Sequence, residues 1–548
     1  MSDPIRNSLC EAVDGAVLMG HMRELARWVK LSGTPDELQS LRYFQAKLDE
    51  YGYRTSLIMH DAYISLPGKA RVDVDNQALT AITHSFSRSS PPQGVTGRLV
   101  YVGDGDASDF SARDLRGAIV LTEGIASPGQ AARASHAGAV GQVQISPHEH
   151  LHEMCVSPVW GSPSGETQSE LPTTVVCTVS NADGSALRER LARGEQPKVT
   201  LHAEVDTGWR QTPILQADID GPTADGPFIL YSGHHDTWYY GVMDNGAANA
   251  TMLEVARITA RERSQWRRGL RLCFWSGHSH GRYSGSTWYA DRHWDELERR
   301  CAVHVNVDST GGVGATVLKN TAAAPELIGL AGDAIGEQAS SEYAGKRMSR
   351  SSDQSFWGIG IPAMFGALSE QPPAPVKMRN ALGWWWHTPH DLLDKIDEKN
   401  LVRDTRVYVH TLWRLLTDPV LPLDFAAHAR VLLEELGKLR SSLGDRFSVN
   451  DLITAAETLR DKATGGGHSD TALMRASRAL APVYYTSGDR FAHDPALPLP
   501  AWPVLDPLRK LGKVAPGTDS ARFLTVSATR GRNRLAHALR EATEAFAG

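Results

Sequence analysis

Residues 228–238 read FILYSGHHDTW, and this stretch decides the fold. An apolar run predicts a fully buried strand of a parallel sheet, and Gly233, His234 and Asp236 after it predict a polar turn. The chain then passes Asp244 and enters a segment that predicts a helix over Gly246–Gln265. Strand, polar turn and helix in this order form one unit of an α/β fold, in which helices flank a mostly parallel sheet.

The strand–helix alternation continues downstream and gives way to other patterns on either side. The further elements predicted for this region are strands at Leu270–Ser276, Ala302–Asp308 and Pro362–Ala367, and helices at Pro325–Gln338 and Asn400–Leu416. Two helices are predicted before it, at Ala16–Lys30 and Asp36–Glu50. Short β-rich runs separated by turn residues are predicted at Arg98–Val102, Ala118–Thr122, Leu171–Val179 and Lys198–Glu204. Four helices follow Pro419, at Phe425–Ser442, Val449–Lys462, Thr471–Tyr485 and Ala521–Phe546.

These changes of pattern divide the chain into three predicted domains. Residues 1–55 and 206–420 form an α/β domain, residues 56–205 an inserted β-rich domain, and residues 421–548 a C-terminal helical domain. A chain of 548 residues needs more than one core, because single cores stop growing near roughly 250–300 residues.

Composition narrows the functional class. Hydrophobic residues make up 41% and charged residues 22%, and the formal net charge is −6, which gives no indication of nucleic-acid or acidic-membrane binding. No apolar run is long enough to span a bilayer, and the N-terminus lacks the pattern of a signal peptide. Five scattered cysteines without a Cys-x-x-Cys pair predict free thiols in a reducing compartment, so a cytoplasmic location is expected.

Four potential metal ligands stand at strand ends or helix starts: His234, Asp244, Asp308 and His387. Each has an ordinary explanation when taken alone, such as a helix cap or a turn residue. Because ligands bind beyond the carboxyl ends of parallel strands, their joint placement favours one shared site. Two imidazoles and two carboxylates suit zinc or another divalent transition metal such as manganese or cobalt.

The motifs around these residues resemble the zinc aminopeptidase / glutamate carboxypeptidase / transferrin receptor superfamily. Four motifs carry the resemblance, in the superfamily's order: Gly233–Asp236 with Asp244–Ala247, Asn306–Asp308, Asp353 with Gly360–Pro362, and His387–Pro389 with Asp391. Residues 100–103, 114–120 and 137–139 resemble an inserted protease-associated domain. Residues 473–493 resemble the helical dimerisation domain of the glutamate carboxypeptidase and transferrin receptor branch.

The resemblance implies a two-metal site and a homodimer. His234, Asp244 and Asp308 would hold one ion, with Asp244 bridging to a second ion held by His387 and a glutamate. Asp236 would orient His234 as a supporting carboxylate. The dimer would form through the C-terminal helices, where four apolar residues repeat at helical spacing: Val431, Leu432, Leu436 and Leu439.

One loop departs from the superfamily. The family has two adjacent glutamates here, the first a general base and the second a metal ligand. In this chain residues 277–286 read GHSHGRYSGS. His278 therefore takes the position of the base, and Ser279 takes the position of the ligand. His278 can act as acid or base, and His278 or His280 can instead replace the lost carboxylate as a neutral ligand. The sequence therefore leaves the number of ions per chain open, at one or two. Ser279, Asp353 and Trp386 are further candidates for substrate binding.

Three functions fit this pattern. The leading hypothesis is a metal-dependent hydrolase, aminopeptidase- or carboxypeptidase-like, that acts on an amide-type bond in a small molecule or short peptide. The second is a non-hydrolytic metal enzyme, a lyase or cyclase, on the same scaffold. The third is a non-catalytic dimeric binding protein like the transferrin receptor branch. A cluster at His148, His150 and His152 in the β-rich domain is typical of solvated surface. A role in lining the pocket is the alternative, because the resemblance implies that this domain overhangs the site.

Overall fold

The computed structural model describes residues 3–111, 113–374 and 381–547. The strands within these residues join one sheet, in the order β1-β2-β6-β5-β4-β3-β7-β9-β8-β10-β11. They are β1 Arg54–Val74, β2 Gln77–Thr83, β3 Val95–Tyr101, β4 Ile119–Glu123, β5 Gly141–Ile145, β6 Val175–Val179, β7 Lys198–Ile219, β8 Phe228–His234, β9 Gly269–Trp275, β10 Cys301–Asn306 and β11 Ala363–Met364.

Helices pack against both faces of the parallel strands, and the last five helices follow the sheet in the chain. They are α1 Pro4–Glu11, α2 Gly15–Leu25, α3 Pro35–Glu50, α4 Ala107–Ser111, α5 Pro128–His136, α6 Asn181–Ala192, α7 Ala248–Thr259, α8 Ser284–Arg292, α9 Trp294–Arg300, α10 Ile328–Ala339, α11 Glu398–Thr417, α12 Phe425–Leu443, α13 Asn450–Thr464, α14 Asp470–Tyr485, α15 Asp506–Leu511 and α16 Asp519–Ala545. The mixed α/β architecture predicted from the strand–helix alternation is confirmed. No helix among the described residues combines the length and apolarity that a bilayer crossing needs.

The parallel part of the sheet carries the predicted polar strand ends. Strand β8 pairs in parallel with β9 on one side and β10 on the other, and β11 extends the sheet beside β10. Every residue of β8, β9 and β10 is buried, as expected for strands covered on both faces. The carboxyl ends of β8, β9 and β10 therefore lie at one edge.

Strand β7 is much longer than its predicted part, Lys198–Glu204, and β1 was not predicted from the sequence. Strand β1 has 21 residues and β7 has 22, and they pair antiparallel from Arg54 opposite Asp218 to Val74 opposite Val199. Many of their side chains are half-buried or exposed, so the polar composition concealed their length. This ribbon joins the parallel strands to a second apolar core, which is built from residues between 72 and 203.

The C-terminal helices pack into the same apolar cluster as the α/β region. Leu432, Leu436 and Leu439 of α12 are buried in contacts within the chain, so they do not offer a free face to a second copy. The stripe that predicted the dimer is explained by intramolecular packing, and the homodimer stays a prediction. All five cysteines are buried and unpaired, which agrees with the expected free thiols.

Candidate metal centre

The four predicted ligands come from four separate segments at one edge of the sheet. His234 is the last residue of β8, and Asp308 follows β10 by two residues. Asp244 lies in the turn Val242–Ala247 that leads into α7. His387 lies in the loop before α11, with a left-handed backbone (φ 58°). The fold therefore brings together residues that are up to 153 positions apart in sequence.

Asp244 occupies the middle of the group. Its Oδ1 lies 3.1 Å from His234 Nε2, and its Oδ2 lies 3.1 Å from His387 Nε2. Asp308 Oδ1 lies 3.8 Å from the same His234 nitrogen. One carboxylate oxygen thus faces each imidazole, which is the arrangement of a carboxylate that bridges two neighbouring positions.

Hydrogen bonds fix the orientation of three imidazoles. His234 Nδ1 lies 2.8 Å from the Asp236 backbone oxygen, and His387 Nδ1 lies 2.7 Å from the Glu153 backbone oxygen. His278 Nδ1 lies 2.7 Å from Asp353 Oδ2. Carbonyl and carboxylate oxygens only accept, so each Nδ1 donates, and each neutral ring leaves the lone pair on Nε2. This is the usual arrangement of metal-binding histidines.

The carboxylates are held in a similar way. Ser309 Oγ donates to Asp308 Oδ1 at 2.9 Å, and Ser352 Oγ donates to Oδ2 at 2.6 Å. The Asp391 carboxylate accepts the backbone N–H groups of Met243 and Asp244, at 2.8 and 3.0 Å, and so fixes the turn that presents Asp244. The sequence motif containing Asp391 signalled this residue without showing its partners.

Two buried atoms at the centre lack hydrogen-bond partners. His234 Nε2 and Asp244 Oδ1 lie 3.1 Å apart, yet neither makes a hydrogen bond of acceptable geometry within the described residues. Because His234 donates from Nδ1, its Nε2 presents a lone pair to the Asp244 oxygen, and a cation between the two atoms would satisfy both. Potential ligand atoms of His234, His278 and Asp308 all lie within 4.8 Å of one another. This donor set therefore fits a divalent cation.

The charges of the centre are strongly coupled. Without a bound cation, burial would lower the pKa of His234, but the Asp244 and Asp308 carboxylates outweigh it and raise that pKa well above its usual value. Burial would raise the pKa of Asp244, and the adjacent His234 and His387 instead lower it. Burial raises the pKa of Asp391 to about 7, against the two backbone N–H groups that it accepts. Such clustering of shifted groups is typical of functional sites.

The centre opens into a cavity of about 750 Å³. Asp244, His278, Asp308 and His387 line its floor, and Ser279 and Trp386 line its walls. Trp386 stacks on His387 with 3.6 Å between ring centroids. The placement of Ser279 and Trp386 is compatible with the predicted contact with substrate.

The part of the chain that contains this centre is similar to known proteins. Residues 215–412 match the model of peptidase family M28. A probable glutamate carboxypeptidase, VP8 of Zea mays, is 21% identical over 539 residues, covering 82% of this chain and 74% of its own length. An aminopeptidase from Aneurinibacillus sp. strain AM-1 has a TM-score of 0.58 at 20% identity, covering 76% of this chain and 98% of that chain. A peptidase M28 precursor from Shewanella amazonensis has a TM-score of 0.61 at 18% identity, with coverages of 76% and 97%.

The predicted resemblance to the zinc aminopeptidase / glutamate carboxypeptidase superfamily is confirmed. The matched residues include all four of the predicted ligands, His234, Asp244, Asp308 and His387. The similarities to solved structures at this level of identity concern the fold.

The loop that departs from the superfamily pattern packs directly on the centre. The His278 ring stacks on His234, with 3.7 Å between centroids and 12° between planes. The Asp236 carboxylate accepts the backbone N–H groups of His278 and Ser279, at 3.1 and 2.8 Å. Asp236 was expected to orient His234 through its carboxylate, but it does so through its backbone oxygen. The carboxylate holds the 278–279 loop instead, because it points towards the amides that follow β9.

Two further predicted residues have contacts that differ from their expected roles. His280 was a candidate ligand, but its Nδ1 lies 3.0 Å from Ser32 Oγ and its ring packs on Trp238. Its ring nitrogens are not among the ligand atoms that converge with those of His234 and Asp308. Asp353 was a candidate for substrate binding, but its carboxylate is fully buried between His278 Nδ1 and Ser286 Oγ. It supports His278 and does not line the cavity.

Some supporting residues were not identified from the sequence. Ser32 Oγ donates to Asp236 Oδ2 at 2.7 Å, from a loop that precedes α3. Glu153 supplies the carbonyl that orients His387, and its own backbone N–H donates to the His387 oxygen at 3.0 Å. A backbone carbonyl has no sequence signature, so no local pattern marks this contact.

Proposed function

We propose that the protein is a metal-dependent hydrolase that acts on an amide-type bond in a small molecule or short peptide. The unpartnered pair His234 Nε2 and Asp244 Oδ1 carries this proposal, together with the match of residues 215–412 to peptidase family M28. His234, Asp244 and Asp308 would hold a divalent ion, with zinc preferred because similar structures include zinc aminopeptidases. His387 and Asp244 Oδ2 offer a second position with two protein ligands. A bound ion would supply Lewis acidity towards a carbonyl group and would acidify water.

His278 is proposed to carry the proton that the superfamily's missing glutamate would carry. Because Asp353 accepts from Nδ1, the neutral His278 ring is protonated there and has an accepting lone pair on Nε2. Ser286 Oγ donates to the other Asp353 oxygen at 2.8 Å and so fixes that carboxylate. His278 Nε2 is thus prepared to accept a proton and to return it to the leaving nitrogen, as in general acid–base catalysis.

The predicted domain organisation is part of the proposal. Residues 56–205 would form a protease-associated-like domain, supported by the separate apolar core between residues 72 and 203. Residues 1–55 with 206–420 would form the metallopeptidase-like domain, and residues 421–548 the dimerisation-like domain. The two hydrogen bonds between Glu153 and His387 support a role for the inserted region in shaping the site.

Metal analysis combined with a screen of small amides and short peptides tests the function. We expect at least one divalent ion per chain and cleavage of an amide bond that ceases on chelation and returns with zinc, manganese or cobalt. Metal binding with turnover that adds no water to the substrate would favour the lyase or cyclase alternative. A protein that binds no metal would support the receptor-like alternative and contradict ours.

A further inference from the structure

The two sides of the Asp244 carboxylate differ in the number of ligands that they offer a cation. On the Oδ1 side, His234 Nε2 lies at 3.1 Å, and ligand atoms of His278 and Asp308 converge with His234 within 4.8 Å. On the Oδ2 side, His387 Nε2 lies at 3.1 Å. Among the described residues, the groups of three potential ligands that converge in this way do not include His387. The second position therefore offers two protein ligands, whereas catalytic zinc sites have three.

The rest of the chain does not supply the missing ligand. Residues 1–2, 112, 375–380 and 548 lie outside the described ranges, and they include no histidine, cysteine, aspartate or glutamate. Position 279, where the resemblance implies a glutamate ligand, carries a serine. A hydroxyl is not among the side chains that usually bind zinc. Ser279 thus removes a ligand and leaves a short neutral side chain in its place.

Ser279 and Trp238 bring hydrogen-bond donors to the same cavity as His387. Both side chains line the cavity, and each residue is only 3% exposed. The Trp238 ring lies 5.5 Å from the His387 ring, measured between centroids. Neither Ser279 Oγ nor Trp238 Nε1 has a hydrogen-bond partner among the described residues. An indole N–H only donates and a hydroxyl donates one hydrogen, so the complementary ligand is an oxygen atom that accepts.

Location distinguishes Trp238 from the other tryptophans. Five further tryptophans of the described residues have a buried indole N–H without a partner: Trp266, Trp275, Trp357, Trp385 and Trp502. None of these five lines the cavity that contains the metal centre. An unpartnered N–H inside the protein does not reach a substrate, so the position of Trp238, and not its lack of a partner alone, makes it a candidate donor.

We infer that the centre holds one ion per chain, and that Ser279 and Trp238 replace a second ion beside His387 as hydrogen-bond donors to the carbonyl oxygen of the substrate. The inference rests on the proposed amide hydrolase function. When water adds to the amide carbon, the π electron pair of the C=O bond moves onto the oxygen, which gains negative charge. Donors fixed towards that oxygen stabilise the transition state more than the bound substrate.

Metal content tests the number of ions. The wild type, Ser279→Glu and Ser279→Gln are loaded with zinc, dialysed against metal-free buffer and analysed for zinc per chain. We expect one ion in the wild type, two in Ser279→Glu, which supplies a third ligand, and one in Ser279→Gln, which has a similar shape without the charge. Ser279→Asp replaces the glutamate variant if circular dichroism shows that variant to be unfolded. Two ions in the wild type, or one in the folded carboxylate variant, would overturn the inference and leave the hydrolase function standing.

Binding of a tetrahedral oxyanion tests the donors without relying on catalysis. Methylphosphonate is titrated by calorimetry into the zinc-loaded wild type and the variants Ser279→Ala, Trp238→Phe and Trp357→Phe. We expect the affinity to fall about 10- to 100-fold in the first two variants, the range for a lost hydrogen bond to a charged group, and to stay at the wild-type value in Trp357→Phe. Unchanged affinity in Ser279→Ala and Trp238→Phe, or an equal loss in Trp357→Phe, would overturn the inference. The expected losses without any amide cleavage would support the donors and refute the hydrolase function.

Discussion

Two histidine clusters of this protein invite comparison, because their composition is similar and their hydrogen bonding is not. The central cluster contains His234, His278 and His387, and the loop cluster contains His148, His150 and His152. In the central cluster, potential ligand atoms of His234, His278 and Asp308 all lie within 4.8 Å of one another. In the loop cluster, the same is true of His148, Glu149 and His150. Composition and distance alone do not distinguish them.

The histidines of the loop cluster largely satisfy one another. The His150 backbone N–H donates to His148 Nδ1 at 3.1 Å, so the His148 proton is on Nε2. That atom lies 2.8 Å from His152 Nε2, and His152 Nδ1 in turn lies 2.5 Å from the Trp386 oxygen. His150 stacks on Trp384. Both ring nitrogens of His148 and His152 are therefore occupied when the rings are neutral.

The central cluster has the opposite arrangement. Each of its three rings donates from Nδ1 to an oxygen and leaves Nε2 without an equivalent protein donor. The difference teaches that a histidine metal centre is recognised by the hydrogen bonds of its rings. When one ring nitrogen donates to an oxygen and the other has no protein donor, a lone pair remains for an ion. The loop cluster instead fixes Trp386, which stacks on His387.

Removing one histidine from each cluster gives the largest expected contrast. His234→Ala should remove bound metal and abolish turnover, because it deletes the imidazole that faces both Asp244 and Asp308. His148→Ala should leave the metal content per chain unchanged. Elemental analysis of the dialysed proteins measures both. Loss of one ion from His148→Ala would show that the loop cluster is also a metal site.

The role of His278 gives a smaller contrast within the central cluster. His278→Ala should lower turnover roughly 10²–10⁴-fold with metal content unchanged, as expected for a lost acid–base group. Asp353→Asn should cost about 10- to 100-fold, because it loosens the ring and no longer fixes its tautomer. Steady-state kinetics and metal analysis are measured together. If His278→Ala also loses metal, His278 is a ligand and the proton carrier lies elsewhere.

The smallest effect concerns acid stability of the loop cluster. Burial lowers the pKa of His152 to about 3, from an unfolded value near 6.5, and His148 and His150 add to the shift. Its contribution to stability is therefore complete above about pH 6.5 and is lost as the pH falls towards 3. His152→Gln should flatten the decline of the unfolding free energy between pH 6 and 4 by up to about 1.4 kcal/mol per pH unit. Urea titrations at several pH values measure this, and parallel slopes for both proteins would contradict it.

The sequence by itself determined the parallel sheet and the position of its ligands. Continuous apolar runs predicted β8, β9 and β10, and polar residues at their ends had to meet, because parallel strands share a carboxyl edge. Local periodicity also predicted most helices, including α11 and α12. Local periodicity did not predict β1 or the full length of β7. Which of their side chains are buried depends on the pairing of the two strands with each other.

Only the tertiary structure decided which atoms those residues use. His278 meets Asp353 75 positions away, and His387 meets the Glu153 carbonyl 234 positions away. Such contacts depend on how loops from different cores pack at the sheet edge, and the directional hydrogen bonds that set each tautomer form only once that packing is complete.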